Sequence, residues 1–158
     1  MFKKFNDGKF RVGTGIIDIT PKKNLGWIAG FFPGRKAIGV HDPLSARSLV
    51  LSYNKEYVVF VALDLIGLLQ NRIRMTKDRL REVGIEPDRV IISCIHNHQA
   101  PDTIGLWGEE MGKCGIDKDY MDFIVDKIVE VAKIAGDNLK EVKVKFGMTK
   151  IRELDEYY

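Results

Sequence analysis

The chain has 158 residues, of which 45% are hydrophobic and 30% charged, a balance typical of a soluble globular protein that buries a core. Its 25 basic and 22 acidic residues leave a net charge of +3 that is scattered along the chain and does not indicate nucleic-acid binding. No apolar run reaches the ~18–20 residues that a membrane span needs. The first residues lack the apolar segment of a signal peptide, so we expect a cytoplasmic protein.

Cysteine and glutamine are rare in this sequence. Cys94 and Cys114 are too few for a disulfide framework, and Cys94 lies in an apolar stretch where we expect a small core residue. Glutamine occurs only at positions 70 and 99, among many Lys, Glu, Arg and Ile residues. This composition favours a thermophilic source.

The first part of the chain predicts a strand followed by a long loop. Residues 10–19 alternate and are rich in Val and Ile, and Gly13 and Gly15 within them indicate a bulge or a close approach of another backbone. Residues 21–39 combine several glycines with aromatic side chains, which argue against disorder. We expect an ordered loop that forms part of a pocket wall.

The middle of the chain predicts a βαβ unit. Strands at 48–53 and 57–65 are joined by a tight turn, and the second is nearly all apolar, as in a strand covered on both faces. Apolar residues then recur every three to four positions over 69–84, which predicts an amphipathic helix that stops at Gly84. Residues 90–95 predict another buried strand, parallel to the strand before the helix.

The last part of the chain predicts a second helix and a final strand. Residues 118–135 carry one apolar stripe, with Asp117 or Asp119 as the N-terminal cap, and residues 142–149 alternate as a strand does. The order of elements predicts an α/β fold, with a mixed β-sheet, a βαβ unit and two main helices in a layered sandwich. We expect a single domain over residues 1–158.

Two of the three histidines follow the strand at 90–95. Side chains two positions apart on an extended backbone face the same way, so His96 and His98 should lie side by side. Neutral imidazoles are common zinc ligands, and open sheets place ligands beyond the carboxyl ends of parallel strands. The pattern favours a metal site in which His96 is a ligand and His98 is a second ligand, a neighbouring donor or a group that polarises a substrate. The alternative is a pair of surface histidines.

Three further polar residues could take part, each with a structural alternative. Asp64, at the end of a predicted strand, could be a ligand, an orienting carboxylate or a helix cap. Asp102 could be a ligand or form an Asx turn after a proline. His41 could be a ligand or a substrate contact, or a loop histidine beside an Arg47–Asp42 pair. The sequence contains no Gly-x-Ser-x-Gly, His-Glu-x-x-His, P-loop or Gly-x-Gly-x-x-Gly motif.

Four segments occur in a distinctive order: Gly13-Thr-Gly-Ile-Ile-Asp-Ile-Thr-Pro21, Gly39-Val-His-Asp-Pro-Leu-Ser-Ala-Arg47, Val59-Phe-Val-Ala-Leu-Asp64 and Val90-Ile-Ile-Ser-Cys-Ile-His-Asn-His-Gln-Ala-Pro-Asp102. Together they resemble the N-terminal part of the neutral/alkaline non-lysosomal ceramidase family, over roughly residues 10–150. The His-Asn-His block with its following proline is the most specific piece. Its continuation is closer to uncharacterised prokaryotic relatives than to ceramidases proper, which read close to Thr-His-Thr-His-Ser-Gly-Pro.

The resemblance implies a zinc-dependent amidase that releases a fatty acid from an N-acyl sphingoid base. It implies that His96 is a Zn²⁺ ligand and that His98 is a catalytic residue close to the metal, where zinc activates a water for attack on the amide carbonyl and stabilises the oxyanion. The remaining ligands of that family (another histidine, a glutamate and a tyrosine) and an active-site serine lie beyond the matching part. This chain is therefore expected to carry part of the active site.

Three functions remain open from the sequence. The first is a zinc-dependent hydrolase of amide bonds in a small-molecule or lipid-like substrate. The second is a non-catalytic truncated relative, or a subunit whose site is completed by a complementing chain or by a homo-oligomer. The third is a small α/β binding domain in which the histidine pair is structural.

Overall fold

The computed structural model describes residues 5–149, which form five strands and two α-helices. In chain order they are β1 (Phe10–Asp18), β2 (Ser45–Tyr53), β3 (Glu56–Leu63), α1 (Gln70–Glu82), β4 (Val90–Cys94), α2 (Lys118–Asp137) and β5 (Lys140–Glu141). A single turn of 3₁₀-helix, Pro87–Arg89, precedes β4. None of the helices in this part of the chain is long and apolar enough to cross a membrane.

The strands form one mixed sheet in the order β4-β3-β2-β1-β5. Neighbouring strands are antiparallel except β3 and β4, which run parallel because α1 crosses over between them. The predicted α/β fold, with its mixed sheet and βαβ unit, is therefore confirmed. Leu63 pairs with Cys94, so the carboxyl ends of β3 and β4 reach the same end of the sheet.

The two helices and the sheet share one apolar core. The stripe predicted for the second helix packs on β1 and β2, and α1 packs beside α2. Asp117 caps α2, because its Oδ1 accepts a hydrogen bond from the Tyr120 N–H at 3.0 Å. Of the two caps predicted, Asp117 and Asp119, it is therefore Asp117 that is confirmed. The fully buried core side chains of strands and helices include Val50, Val59, Val61, Leu63, Leu80, Ile124, Ile128 and Ala132.

Gly13 and Gly15 let α2 lie directly on β1. A Cβ at Gly13 would sit 1.9 Å from the carbonyl oxygen of Ala135, and one at Gly15 would sit 2.9 Å from that of Val131. Any side chain larger than hydrogen would push the helix off the strand. The predicted close backbone approach is confirmed.

The strand predicted at 142–149 is wrong, because the strand ladder stops before it. β5 pairs with β1 through Lys140 and Glu141 alone, and the Val142 N–H donates to the carbonyl of Phe10, the first residue of β1. β5 runs antiparallel to β1, so the residues after Val142 lie beyond Phe10, where residues 5–9 do not form a strand. Of the apolar residues in this alternating stretch, Phe146 is 95% exposed.

The side of the sheet away from the helices is apolar and uncovered by residues 5–149. We call it the open sheet face and define it by Ile16, Tyr53, Phe60 and Ile91, which are 64%, 50%, 38% and 52% exposed. The strand registers place side chains from these strands on this one side. The prediction that β3 is covered on both faces is therefore wrong for the described residues, which bury only the face toward the helices.

Candidate functional site

The chain turns sharply where it leaves β4. The Ile95 N–H still donates to the Leu63 carbonyl at 3.1 Å, and the Asn97 N–H donates to the Leu65 carbonyl at 3.1 Å. His96 lies between them with a φ of 63°, in the left-handed region that non-glycine residues rarely adopt. Two hydrogen bonds to the chain leaving β3 thus hold a locally unfavourable backbone in place.

The His96 imidazole is oriented by a backbone carbonyl. Its Nδ1 lies 3.0 Å from the Ile66 carbonyl oxygen, which can only accept a hydrogen bond. The proton of the neutral ring therefore belongs on Nδ1, and the Nε2 lone pair is left free. His96 is exposed, so Nε2 can reach a ligand. Metal-bound histidines have this arrangement, with the second ring nitrogen bonded to a carbonyl.

His98 is packed tightly beside it, as predicted, although the backbone between them is turned and not extended. The two imidazole centroids are 4.8 Å apart in an edge-on arrangement, and the Phe31 ring stands edge-on to His98 at 5.0 Å. A Cβ at Gly30 would lie 2.4 Å from His98 Nδ1, so only glycine fits under the ring. His98 Nδ1 is buried and has no hydrogen-bond partner among the described residues. Such an unsatisfied buried atom requires an explanation.

The loop at 21–39 forms the wall that positions His98. The Ala29 N–H donates to the Ala100 carbonyl at 2.9 Å, and the Asp102 N–H donates to the Trp27 carbonyl at 2.7 Å. These bonds join the aromatic loop to the histidine loop. The expectation of an ordered loop that lines a site agrees with this geometry. Nothing in the sequence pattern singled out Gly30, whose role depends on a contact 68 positions along the chain.

Asp64 is neither a helix cap nor a free ligand. Its Oδ2 accepts hydrogen bonds from the Ser45 N–H at 2.9 Å and the Ser45 hydroxyl at 2.6 Å, and its Oδ1 accepts from the Arg47 guanidinium at 2.7 Å. The N-terminus of α1 is instead at Leu69. Burial raises the pKa of the Asp64 carboxyl, but the hydrogen bonds from Ser45 and Arg47 outweigh it and hold the pKa below its usual value. Asp64 fixes the start of β2 against the end of β3.

Asp102 organises the loop after the histidines. Its Oδ1 accepts from the N–H groups of Ile104 and Gly105, and its Oδ2 accepts from those of Trp107 and Gly115, all within 3.1 Å. The side chain is 1% exposed. Four donors occupy the lone pairs of a carboxylate, so none is left for a metal. The structural alternative, an Asx-type turn, is the one that the geometry supports.

His41 lies apart from the two other histidines. Its Nδ1 is 2.8 Å from Asp42 Oδ2, and its side chain is 97% exposed. Arg47 pairs with Asp64, so the Arg47–Asp42 pair suggested by the sequence is wrong. The reason is the strand pairing, which brings Arg47 toward the end of β3 and leaves Asp42 outside the sheet.

A cleft of about 730 Å³ adjoins the histidine loop. Asn97, the residue between the two histidines, lines it, while His96 and His98 do not. Asp64 and Arg47 form part of its polar wall, and Val40 and Ile95 are among its apolar residues. The cleft adjoins the open sheet face, because Arg47 and Ile95 lie at the end of that face where β2 begins and β4 ends.

The described residues fit one corner of a zinc site. With the proton on Nδ1, His96 Nε2 has a free lone pair that could coordinate a metal ion, and His98 lies next to it. Within residues 5–149, no three His, Cys, Asp or Glu side chains lie close enough together to hold a metal ion. A zinc site takes at least three protein ligands. The described residues therefore do not form a complete zinc site by themselves.

The chain is similar to known ceramidases. The family model described as "Neutral/alkaline non-lysosomal ceramidase, N-terminal" matches residues 10–155. Neutral ceramidase A from Dictyostelium discoideum is 28% identical over 137 residues, which cover 81% of this chain and 19% of that protein.

Two solved structures share the fold. The neutral ceramidase from Pseudomonas aeruginosa superposes with a TM-score of 0.73 at 24% identity, over 86% of this chain and 23% of that one. A structure described as "Ceramidase complexed with C2" gives a TM-score of 0.73, at 24% identity, over 85% of this chain and 22% of that one. The chain thus spans about a fifth of the length of these relatives. Since the family model covers most of its residues, the chain belongs to the neutral/alkaline non-lysosomal ceramidase family.

Proposed function

We propose that the chain carries part of the active site of a zinc-dependent hydrolase of amide bonds. The observation that carries the proposal is the His96 imidazole, whose Nδ1 is bonded to the Ile66 carbonyl and whose Nε2 is free. Membership of a ceramidase family supports the reaction class. On this proposal residues 1–158 are a single α/β domain that corresponds to the N-terminal portion of a larger hydrolase domain.

His96 would hold the zinc ion through Nε2. Bound zinc supplies Lewis acidity, which lowers the pKa of water and polarises a carbonyl oxygen. The contribution of the chain is to fix the ring: the carbonyl of Ile66 selects the tautomer, and the left-handed backbone at His96 turns the ring outward from the end of β4. The remaining ligands are supplied from outside the described residues.

His98 would be the catalytic residue that contacts the substrate. Its ring is held between Gly30, Phe31 and His96, so the imidazole has little freedom to rotate. A ring held in this way can donate or accept a proton at an amide substrate without a reorganisation cost. The substrate class is an N-acyl lipid-like or other amide.

Metal analysis of the purified chain tests the role of His96. We expect the wild-type chain to bind zinc weakly, and His96→Ala to reduce the bound zinc by at least about tenfold, since a zinc ligand is removed. His41→Ala is the matched control, because His41 is an exposed histidine that lines the cleft and pairs with Asp42, not with His96 or His98. Zinc content after dialysis and calorimetric titration are the measurements. Equal zinc binding by His96→Ala and wild type contradicts the proposal.

A second candidate function is a non-catalytic relative, or a subunit that a partner chain completes. The observation in its favour is that residues 5–149 contain no cluster of three possible metal ligands. Purification from the native source, followed by mass determination and an amidase assay, separates the two. A fully active single chain of 18.0 kDa refutes this second function.

A further inference from the structure

The connection between β3 and α1 is bound to the histidine loop through successive backbone carbonyls. Residues 64–69 form this connection and contain no helix or strand. The carbonyls of residues 64–67 each have a partner after β4. In chain order these partners are the Asn97 side chain, the Asn97 N–H, the His96 ring and the Thr103 hydroxyl, at 3.4, 3.1, 3.0 and 2.6 Å. The direction in which these carbonyls point therefore depends on the four bonds.

The carbonyl that orients His96 lies next to a glycine. The peptide group that carries the Ile66 carbonyl ends at Gly67, and glycine permits backbone rotations that other residues resist. The Thr103 hydroxyl holds the following peptide group, because it donates to the Gly67 carbonyl at 2.6 Å. Fixing the Gly67 carbonyl limits the rotation of the peptide group before it, and so fixes the direction of the Ile66 carbonyl.

Thr103 is itself held firmly by the loop to which it belongs. Its side chain is fully buried. The residue before it, Asp102, accepts hydrogen bonds from four backbone N–H groups of the same loop. The next residue is packed against the connection, since a Cβ at Gly67 would lie 3.1 Å from Ile104 Cγ2. Thr103 thus links an ordered loop to a connection that has no regular structure.

We propose that Thr103 is a positioning residue for His96. Its hydroxyl fixes Gly67, which keeps the Ile66 carbonyl directed at His96 Nδ1 and leaves the lone pair on Nε2. The importance of this arrangement rests on the function proposed above, because only an unprotonated Nε2 can bind zinc. A threonine that only stabilised its loop would affect the free energy of unfolding and leave the His96 ring unchanged.

The tautomer of His96 in the metal-free chain tests the proposal. The full chain is dialysed against a chelator, and ¹⁵N NMR at about pH 9, where imidazoles are neutral, shows which ring nitrogen carries the proton. The chain has three histidines, so the spectrum of His96→Ala identifies the His96 signals. We expect protonation mainly on Nδ1 in the wild type. Thr103→Val keeps the shape without the hydroxyl, and should shift the tautomer ratio toward Nε2 protonation about fivefold or more, the effect of one hydrogen bond.

Thr76→Val is the matched control. Thr76 is also fully buried, and its hydroxyl donates to the Arg72 carbonyl at 2.9 Å within α1. This variant should lose stability to urea as Thr103→Val does, but keep the wild-type tautomer ratio. Thr103→Ser retains the hydroxyl and should restore that ratio. If Thr103→Val does not fold, Thr103→Cys replaces it, since a thiol is a weaker donor and should shift the ratio in the same direction.

The outcomes separate this proposal from the function on which it rests. A folded Thr103→Val with the wild-type ratio, or with no larger shift than Thr76→Val, overturns the positioning role and leaves zinc binding by His96 standing. A wild-type chain that binds no zinc in a calorimetric titration contradicts the proposed function, while a ratio that depends on Thr103 still supports the positioning role. A wild type protonated mainly on Nε2 contradicts both.

Discussion

The sequence predicted that His96 and His98 lie next to each other. The rings lie side by side, 4.8 Å apart, as predicted, but the extended backbone on which the prediction rested is wrong, because His96 has a φ of 63°. Their partners were beyond the reach of sequence reasoning, because the Ile66 carbonyl and Gly30 are distant in the chain and carry no periodic signal. Sequence pattern indicates which side chains share a face, while the contacts that orient them depend on the tertiary fold. The chemical roles of both histidines stay predictions.

Asp102 is a residue whose loss the fold should not tolerate. Asp102→Asn keeps the shape but replaces one acceptor oxygen with an NH₂ group, which leaves two buried N–H groups without an acceptor. We expect a loss of about 2–4 kcal/mol in the free energy of unfolding, since each unsatisfied donor costs about 1–3 kcal/mol. Urea unfolding measures it. Asp42→Asn, at a side chain that is 86% exposed, is the control; equal stabilities of the two variants would refute the role of Asp102.

The ionisation of Asp64 makes the free energy of unfolding depend on pH in the acidic range. Its folded pKa lies below the ordinary value of 3.8, so the carboxylate stabilises the fold above about pH 4, and this contribution is lost as the pH falls through the folded pKa. We expect Asp64→Asn to be less stable than wild type at pH 7 and to approach it below about pH 3. Urea titrations at a series of pH values measure the difference.

The control for this pH dependence is Asp88→Asn, at a carboxylate that is 80% exposed. Its stability should follow that of the wild type at every pH. A constant gap between Asp64→Asn and wild type from pH 7 to about pH 3 would mean that the ionisation of Asp64 does not contribute.

At the scale of elements, helices and central strands were predictable and their ends were less so. The stripes at 69–84 and 118–135 gave α1 and α2 because a period of 3.6 needs only local sequence. β2 begins at Ser45, before the predicted residue 48, because Ser45 pairs with Asp18 and binds Asp64. The alternation at 142–149 is typical of a strand, but a strand also needs a neighbouring strand. The neighbour, β1, begins at Phe10 and does not extend alongside these residues.

The contact between β1 and α2 gives a sharp test at this scale. Gly13→Ala places a methyl group 1.9 Å from the Ala135 carbonyl oxygen, and both atoms belong to regular elements that cannot yield separately. We expect a loss of about 3 kcal/mol, at the upper end of overpacking effects. Thermal and urea unfolding measure it. Gly39→Ala is the control, since nothing lies within 4 Å of the added carbon. If Gly13→Ala were as stable as Gly39→Ala, the close packing would be refuted.

At the scale of the whole molecule, the sequence correctly predicted the architecture. It did not predict which faces of the sheet the described residues cover. Element order was sufficient for a mixed α/β sheet, because a strand–helix–strand crossover constrains topology strongly. The two-sided apolar pattern of β3 predicted cover on both faces, yet residues 5–149 provide it on one. A pattern of residues reports that a face is to be buried and does not report which polypeptide buries it. The same holds for the proposed zinc site, for which the described residues contain no cluster of three possible ligands.

The left-handed backbone at His96 has a cost in stability. A non-glycine residue at this φ costs about 1 kcal/mol, which glycine would recover. For folding alone, glycine is the better residue at position 96. On the role proposed for His96, the imidazole is kept at the expense of fold stability, so selection for a more stable protein and selection for the proposed metal site act in opposite directions at this one residue.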